Sequence, residues 1–188
     1  LAFNASVGYG LAGLRGPVMD GFIEGLRDAS STPAYREAMA WLEAHLGRFT
    51  HFDRAHLARI SPRVCDSVTI STMHGCPADE IERMAGHLLG KGLHTQVKCN
   101  PTMLGYPVAR GLLDALGYAH LTFDDHHFVD DLQLADAVAM FTRLDGRARA
   151  AGLVFGVKLS NTLPTDVTRS ELPAPEMYLS GRALLPLT

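Results

Sequence analysis

The stretch from Asp66 to Asn100, DSVTISTMHGCPADEIERMAGHLLGKGLHTQVKCN, decides the fold class. Residues 66–73 alternate apolar and polar, the period of a strand. Residues 76–92 change to a helical period, with Pro77 near the start and Asp79 and Glu80 in the first turn. Ile81, Met84, Ala85, Leu88 and Leu89 make the buried stripe, and Gly90 and Gly92 end the helix. Residues 94–100 alternate again. Strand, helix and strand in this order form a parallel βαβ unit.

The pattern continues downstream. Residues 107–117 predict a helix with Ala109, Leu112, Leu113 and Leu116 inward, and residues 119–124 a third strand. A long helix is expected over 130–152, with Leu134, Ala137, Val138, Phe141, Leu144 and Ala148 on its face, and a fourth strand over 153–161. Upstream, residues 17–30 and 32–49 predict two helices, opened by Pro17 and by Thr32-Pro33, and no strand pattern shows there. The chain thus divides into a helical N-terminal segment, residues 1–65, and the βα repeats, residues 66–188.

Strand parity separates the two architectures such repeats allow. Val68/Ile70, Val97/Cys99, Leu121/Phe123 and Val157/Leu159 share one parity and are expected to face the helices. The other parity, Thr69/Ser71, Gln96/Lys98/Asn100, Thr122/Asp124 and Lys158/Ser160, is polar throughout. A doubly wound sheet is apolar on both faces, whereas one polar face suits the interior of a barrel near its mouth. The expected fold is α/β, a partial (β/α)8 TIM barrel. A whole barrel takes roughly 250 residues, so these 188 would hold about half of one, as a piece of a longer protein.

Seventeen Lys and Arg against 20 Asp and Glu give a net charge of −3. No basic block exists, so nucleic acid is not an expected partner. No apolar stretch approaches the roughly 20 residues of a membrane span. Three scattered cysteines build neither a disulfide framework nor a metal knuckle, which favours a reducing, cytoplasmic setting.

Every polar cluster falls at the C-terminal end of an expected strand, the edge where parallel α/β folds bind ligands. Ser71, Lys98, Asp124 and Lys158 are expected to aim into one cavity there. A lysine inside a strand needs an anion: either a phosphate or flavin, or Asp124 as an internal partner. In FDDHH, residues 123–127, Asp124, Asp125, His126 and His127 suit acid–base work, metal ligation or loop-ordering hydrogen bonds. No HxH or HxxxH spacing occurs, and no bound metal is expected. Cys76, at a helix start, is expected to have a lowered pKa and act as nucleophile or proton donor; the alternative is a small buried residue. Cys99 is expected in the core. No GxxxxGKS fingerprint is present, and the glycine-rich GYGLAGLRG, residues 8–16, follows no expected strand and is a weak signal.

STMHGCPADEIERMAGHLL, HTQVKCNPTMLGY, FDDHHFVDDLQ, GVKLSNTLPT and EMYLSGRALLPLT together resemble the large iron–sulfur flavoprotein subunits of the selenate-reductase type. The resemblance covers nearly the whole chain. It implies an FMN-linked, oxidoreductase-like barrel domain similar to that of dihydropyrimidine and dihydroorotate dehydrogenases, with glutamate-synthase-like modules elsewhere in the full protein. It further implies FMN at the barrel mouth, and FAD and 4Fe-4S clusters only outside these residues. By that likeness Lys98 with Asn100 matches the flavin-lysine strand, Asn161-Thr162 the asparagine–threonine contact, and Cys76-Pro77 the proton-transferring cysteine step.

The expected catalytic residues are therefore Cys76, His74, Asp124 and His126. The expected cofactor-binding residues are Ser71, Lys98, Asn100, Lys158, Asn161 and Thr162, with a small-molecule substrate and other redox domains or subunits as partners. Two other functions compete: a metal-dependent hydrolase built on Asp124, His126 and His74, and a non-catalytic scaffold in a redox complex.

Overall fold

A computed structural model describes residues 3–168 and 172–187. The chain opens with β1 (Phe3–Val7), then the helices α1 (Leu11–Leu14), α2 (Pro17–Arg27), α3 (Pro33–Ala44) and α4 (Arg54–Leu57). The unit read first from the sequence follows: β2 (Cys65–Ser71), α5 (Ala78–Gly90) and β3 (His94–Cys99). Next come α6 (Tyr106–Ala115), a short α7 (His126–Asp130), α8 (Leu134–Ala150) and β4 (Phe155–Leu159). A small antiparallel hairpin, β5 (Leu163–Asp166) with β6 (Glu176–Leu179), completes the order.

β1, β2, β3 and β4 lie side by side in chain order, each pair parallel. A doubly wound sheet reverses its order at a switch point; this one does not. It is an open four-stranded sheet, and no closed barrel forms among the described residues. Val7, Val68, Ile70, Val97 and Cys99 are buried in one cluster with Leu14, Ile23, Ile81, Met84, Leu88, Met140 and Leu144 from α1, α2, α5 and α8. The opposite face is polar: the Asn4 amide donates to Thr69 Oγ1, whose hydroxyl donates to Gln96 Oε1. Proline and threonine start α3 as expected, with Thr32 Oγ1 accepting from the Tyr35 N–H. No described helix is long and apolar enough to cross a membrane.

Four expectations are corrected. First, β1 lies inside the segment expected to be helical; Phe3, Ala5 and Val7 alternate, but five residues are too few to stand out. Second, residues 119–124 form no strand. Their carbonyls are taken instead by side chains and by the end of β5: Arg110 donates to Leu121 O, Tyr106 to Phe123 O, and the Asp166 N–H to Thr122 O at 2.7 Å. With those groups satisfied, no ladder is needed. Phe123 instead packs with Phe128, Leu113 and Leu163 in a second cluster.

Third, the long helix starts at Leu134, and its buried face is Ala137, Met140, Leu144 and Ala148, leaving Leu134 and Val138 exposed. Fourth, Val157 and Leu159 stand in register with Val97 and Cys99, yet are 41% and 55% exposed. β4 is the edge strand, and no described helix covers that part of its face.

Candidate functional site

The parallel register fixes which side chains meet at the C-terminal edge. Ser71 stands opposite Lys98, and Lys98 opposite Lys158. Three of the four residues expected to share a cavity therefore do lie on one face at one level. Asp124 does not join them, because its segment is a loop. Lys98, Lys158, Ser160, Asn161, Thr162 and Ser180 line a cleft of about 300 Å³. Among the described residues neither ammonium has a carboxylate partner, so the internal Lys–Asp124 pair is not formed. Burial, and then the Lys158 charge, hold the Lys98 pKa below the ordinary lysine value. Two cations side by side without a counter-charge make a site for an anion.

A second polar centre sits beside it. Asp131, its side chain 1% exposed, is the hub. Its Oδ1 accepts the Gly75 N–H at 2.7 Å. Its Oδ2 accepts His74 Nδ1–H at 2.6 Å, the Thr102 hydroxyl at 2.6 Å and the Asn100 amide at 3.1 Å. Gly75 has φ of +75°, and that left-handed turn lets the His74 ring and the next backbone N–H reach one carboxylate. Burial pushes the Asp131 pKa up, but the hydrogen bonds from His74, Thr102 and Gly75 outweigh it, so the carboxyl stays below its ordinary value. An ionised Asp131 fixes Nδ1–H on His74. The His74 Nε2 is shut from solvent with no hydrogen-bond partner among the described residues.

The two centres are one network. The Asn161 side chain, in the lysine cleft, donates to Asn100 Oδ1 at 2.9 Å, and Asn100 in turn donates to Asp131. The backbone supports it: the Asn161 N–H donates to Cys99 O at 2.7 Å and the Thr72 hydroxyl to Lys98 O at 2.9 Å. Cleft and histidine are thus joined by three successive hydrogen bonds.

The remaining sequence candidates lie elsewhere. Cys76 is buried, and its thiol is pushed up to about 11 by burial and by the charges of Glu80, Asp79 and Asp131. The expected lowering by the helix start is reversed, first by burial and then by the two acids of the same first turn. Cys99 is in the core, as expected. Asp124 and His126 pair with each other at the exposed start of α7, the His126 ring donating to Asp124 Oδ1. His127 reaches Glu176 instead, at 3.0 Å.

Asp131, Thr102 and Glu176 escaped the sequence reading. Asp131 closes the acid-rich run 121–131, and its signal was weak: an acid at a helix boundary is ordinary, and only the folded chain brings His74 to it. Thr102 lies just beyond the KCN strand end, in a short turn spanning Pro101–Leu104.

Similarity to known proteins bears on the whole of this arrangement. The chain matches, over residues 1–188, the family described as "Oxidoreductase YgfK, N-terminal TIM-barrel domain". It is 43% identical to the protein named "Putative oxidoreductase YgfK" in Escherichia coli K12, and equally to that of Escherichia coli O157:H7. Each match covers 99% of this chain and 19% of the relative, so the chain spans about a fifth of the length of those proteins. No solved structure matches it. A sequential parallel sheet, its polar network gathered at the C-terminal edge, fits what the match over the full chain shows: the chain belongs to the family of N-terminal TIM-barrel domains of YgfK oxidoreductases.

Proposed function

We propose that this chain is the flavin-facing part of a barrel in an iron–sulfur flavoprotein oxidoreductase, acting on a small-molecule substrate. One observation carries the proposal: Lys98 and Lys158 stand side by side in register at a cleft that no carboxylate lines among the described residues. Thr162 and Ser180 add hydroxyl groups to the lining, which suits a phosphate. These residues fit the phosphate end of FMN, which when bound would supply hydride or single-electron transfer.

The chain's own residues would do the rest. The two ammonium groups bind and orient the anionic end of the cofactor. Asn161 and Asn100 tie that cleft to Asp131, and Asp131 holds His74 in one tautomer. His74 Nε2, a buried atom without a hydrogen-bond partner among the described residues, is the atom at which a proton would be held or released. Cys76, buried and with a raised pKa, is less suited to this role than His74. FAD and 4Fe-4S clusters in other parts of the full protein would deliver the electrons. Substrate reduction of the selenate type is the finest form of this proposal, supported by the sequence resemblance alone.

The test is the flavin content of the intact protein. Lys98→Ala and Lys158→Ala should each weaken FMN retention about 10- to 100-fold, the worth of one charged hydrogen bond to phosphate. Released flavin, measured by fluorescence after gel filtration, gives the readout. Full retention of FMN in the double variant overturns the assignment.

A further inference from the structure

Adjacent histidines on an extended chain point apart, yet His126 and His127 do not, because α7 begins at His126. Their ring centroids are 3.7 Å apart, and both approach one carboxylate. Glu176 Oε1 lies 3.0 Å from His127 Nε2 and 3.8 Å from His126 Nε2. We propose that His126, His127 and Glu176 hold a divalent transition-metal ion, a site distinct from the lysine cleft and independent of flavin binding there.

Three features support it. The first is spacing. Ligands about 2.1 Å from a tetrahedral zinc stand about 3.4 Å apart, and the distances to Glu176 bracket that value. The three ligand atoms all lie within 4.8 Å of one another, so rotation of the half-exposed His126 ring closes the set.

The second feature is the tautomer. Asp124 accepts both the N–H of His126 and its ring Nδ1–H. That pairing leaves Nε2 as the ring atom nearer Glu176, 3.8 Å from its Oε1, where a cation can take the place of a proton between them. A carboxylate behind a ligating imidazole is the usual outer support of a metal histidine. The third is rigidity. The Asp166 N–H donates to Thr122 O, tying the β5–β6 hairpin that carries Glu176 to the loop that leads into Asp124.

Two imidazoles and one carboxylate leave coordination positions open, as in metal centres that bind water or substrate rather than purely structural ones. Imidazole and carboxylate together favour zinc or ferrous iron over magnesium or calcium. The His74 ring lies 5.0 Å from that of His127, so the ion would sit beside the Asp131 network.

Cobalt(II) titrated into the intact protein tests the proposal. The difference in visible absorption between wild type and Glu176→Gln should show d–d bands equivalent to one ion per chain. Metal analysis after zinc or ferrous loading should show the wild type holding one more equivalent than either Glu176→Gln or His127→Ala, and the better retained of the two ions names the metal. Metal centres elsewhere in the protein are common to all samples and cancel. Asp124→Asn should weaken binding about 10- to 100-fold without abolishing it. Glu176→Gln is half-buried on a hairpin and keeps its shape, so unchanged circular dichroism and unchanged FMN content separate loss of metal from loss of fold or of flavin. Equal metal content and no cobalt difference spectrum in a folded Glu176→Gln protein overturn the site.

Discussion

Asp131 and the Lys98–Lys158 pair lie at the same sheet edge, linked by Asn100 and Asn161, and each has charge that needs a partner. They meet that need in opposite ways. Asp131 is almost wholly enclosed and draws four donors from two chain segments, so its charge is neutralised within the protein. The lysines are left half-open, opposite each other, with no acceptor among the described residues. A charge satisfied from within holds a structure in place; a charge left unsatisfied at a cleft awaits something from outside. The contrast separates positioning from binding within one network.

The largest expected effect is on the satisfied side. Asp131→Ala strands the donors of His74, Gly75, Asn100 and Thr102 together, and breaking such a buried set costs about 3–5 kcal/mol. Urea unfolding followed by circular dichroism measures it, and a loss below about 1 kcal/mol would erase the distinction between the two centres. Acid sharpens the same point. The folded-state pKa of Asp131 is depressed below 3.8, so its contribution is fully present above that value and is lost as pH falls through the folded pKa. The stability gap between wild type and Asp131→Asn should therefore be constant from pH 7 to about 5 and narrow below about 4. A gap that widened in acid would reverse the sign assigned to this carboxyl.

A smaller loss tests one donor alone. Thr102→Val keeps the volume and removes the hydroxyl at 2.6 Å from Asp131, so about 1.5–3 kcal/mol is expected, the range for a hydrogen bond to a charged group. If unfolding shows no change, Asp131 does not depend on its full complement of donors, and the network is looser than its distances indicate.

How far the sequence disclosed these centres follows from the range of the forces involved. The βαβ unit 66–100, the buried stripe of its helix and the lysine face were legible because they depend on periodicity, a local property. Lys98 and Lys158 emerged as a pair because parallel strands carry parity from one to the next. Residues 119–124 were misread for the converse reason: their alternation is real, but Arg110, Tyr106 and Asp166 claim the backbone that a neighbouring strand would have used. Asp131 was invisible as a hub because its partners are separated from it by 29 to 57 residues. Nor does anything local to the run of histidines predict Glu176, which approaches from a hairpin 49 residues on.

The smallest effect has the opposite sign and so discriminates best. Like charges directly opposite on neighbouring strands destabilise a sheet, by roughly 0.2–1 kcal/mol. Lys98 carries that burden in the folded chain, its pKa lowered by burial and then by Lys158. A base whose folded pKa is depressed carries its full penalty at neutral pH, and the penalty fades only as pH rises through that folded pKa. Lys158→Gln should therefore raise stability at pH 7 by roughly 0.2–1 kcal/mol while weakening anion binding. The gain should disappear when inorganic phosphate is present at saturating concentration, since the anion relieves the same repulsion in the wild type and stabilises it by mass action. Thermal unfolding with and without phosphate reads both halves. A Lys158→Gln chain less stable than the wild type without phosphate would mean that the ammonium already has an internal partner, and the cleft would lose its claim as the place where this domain meets a ligand.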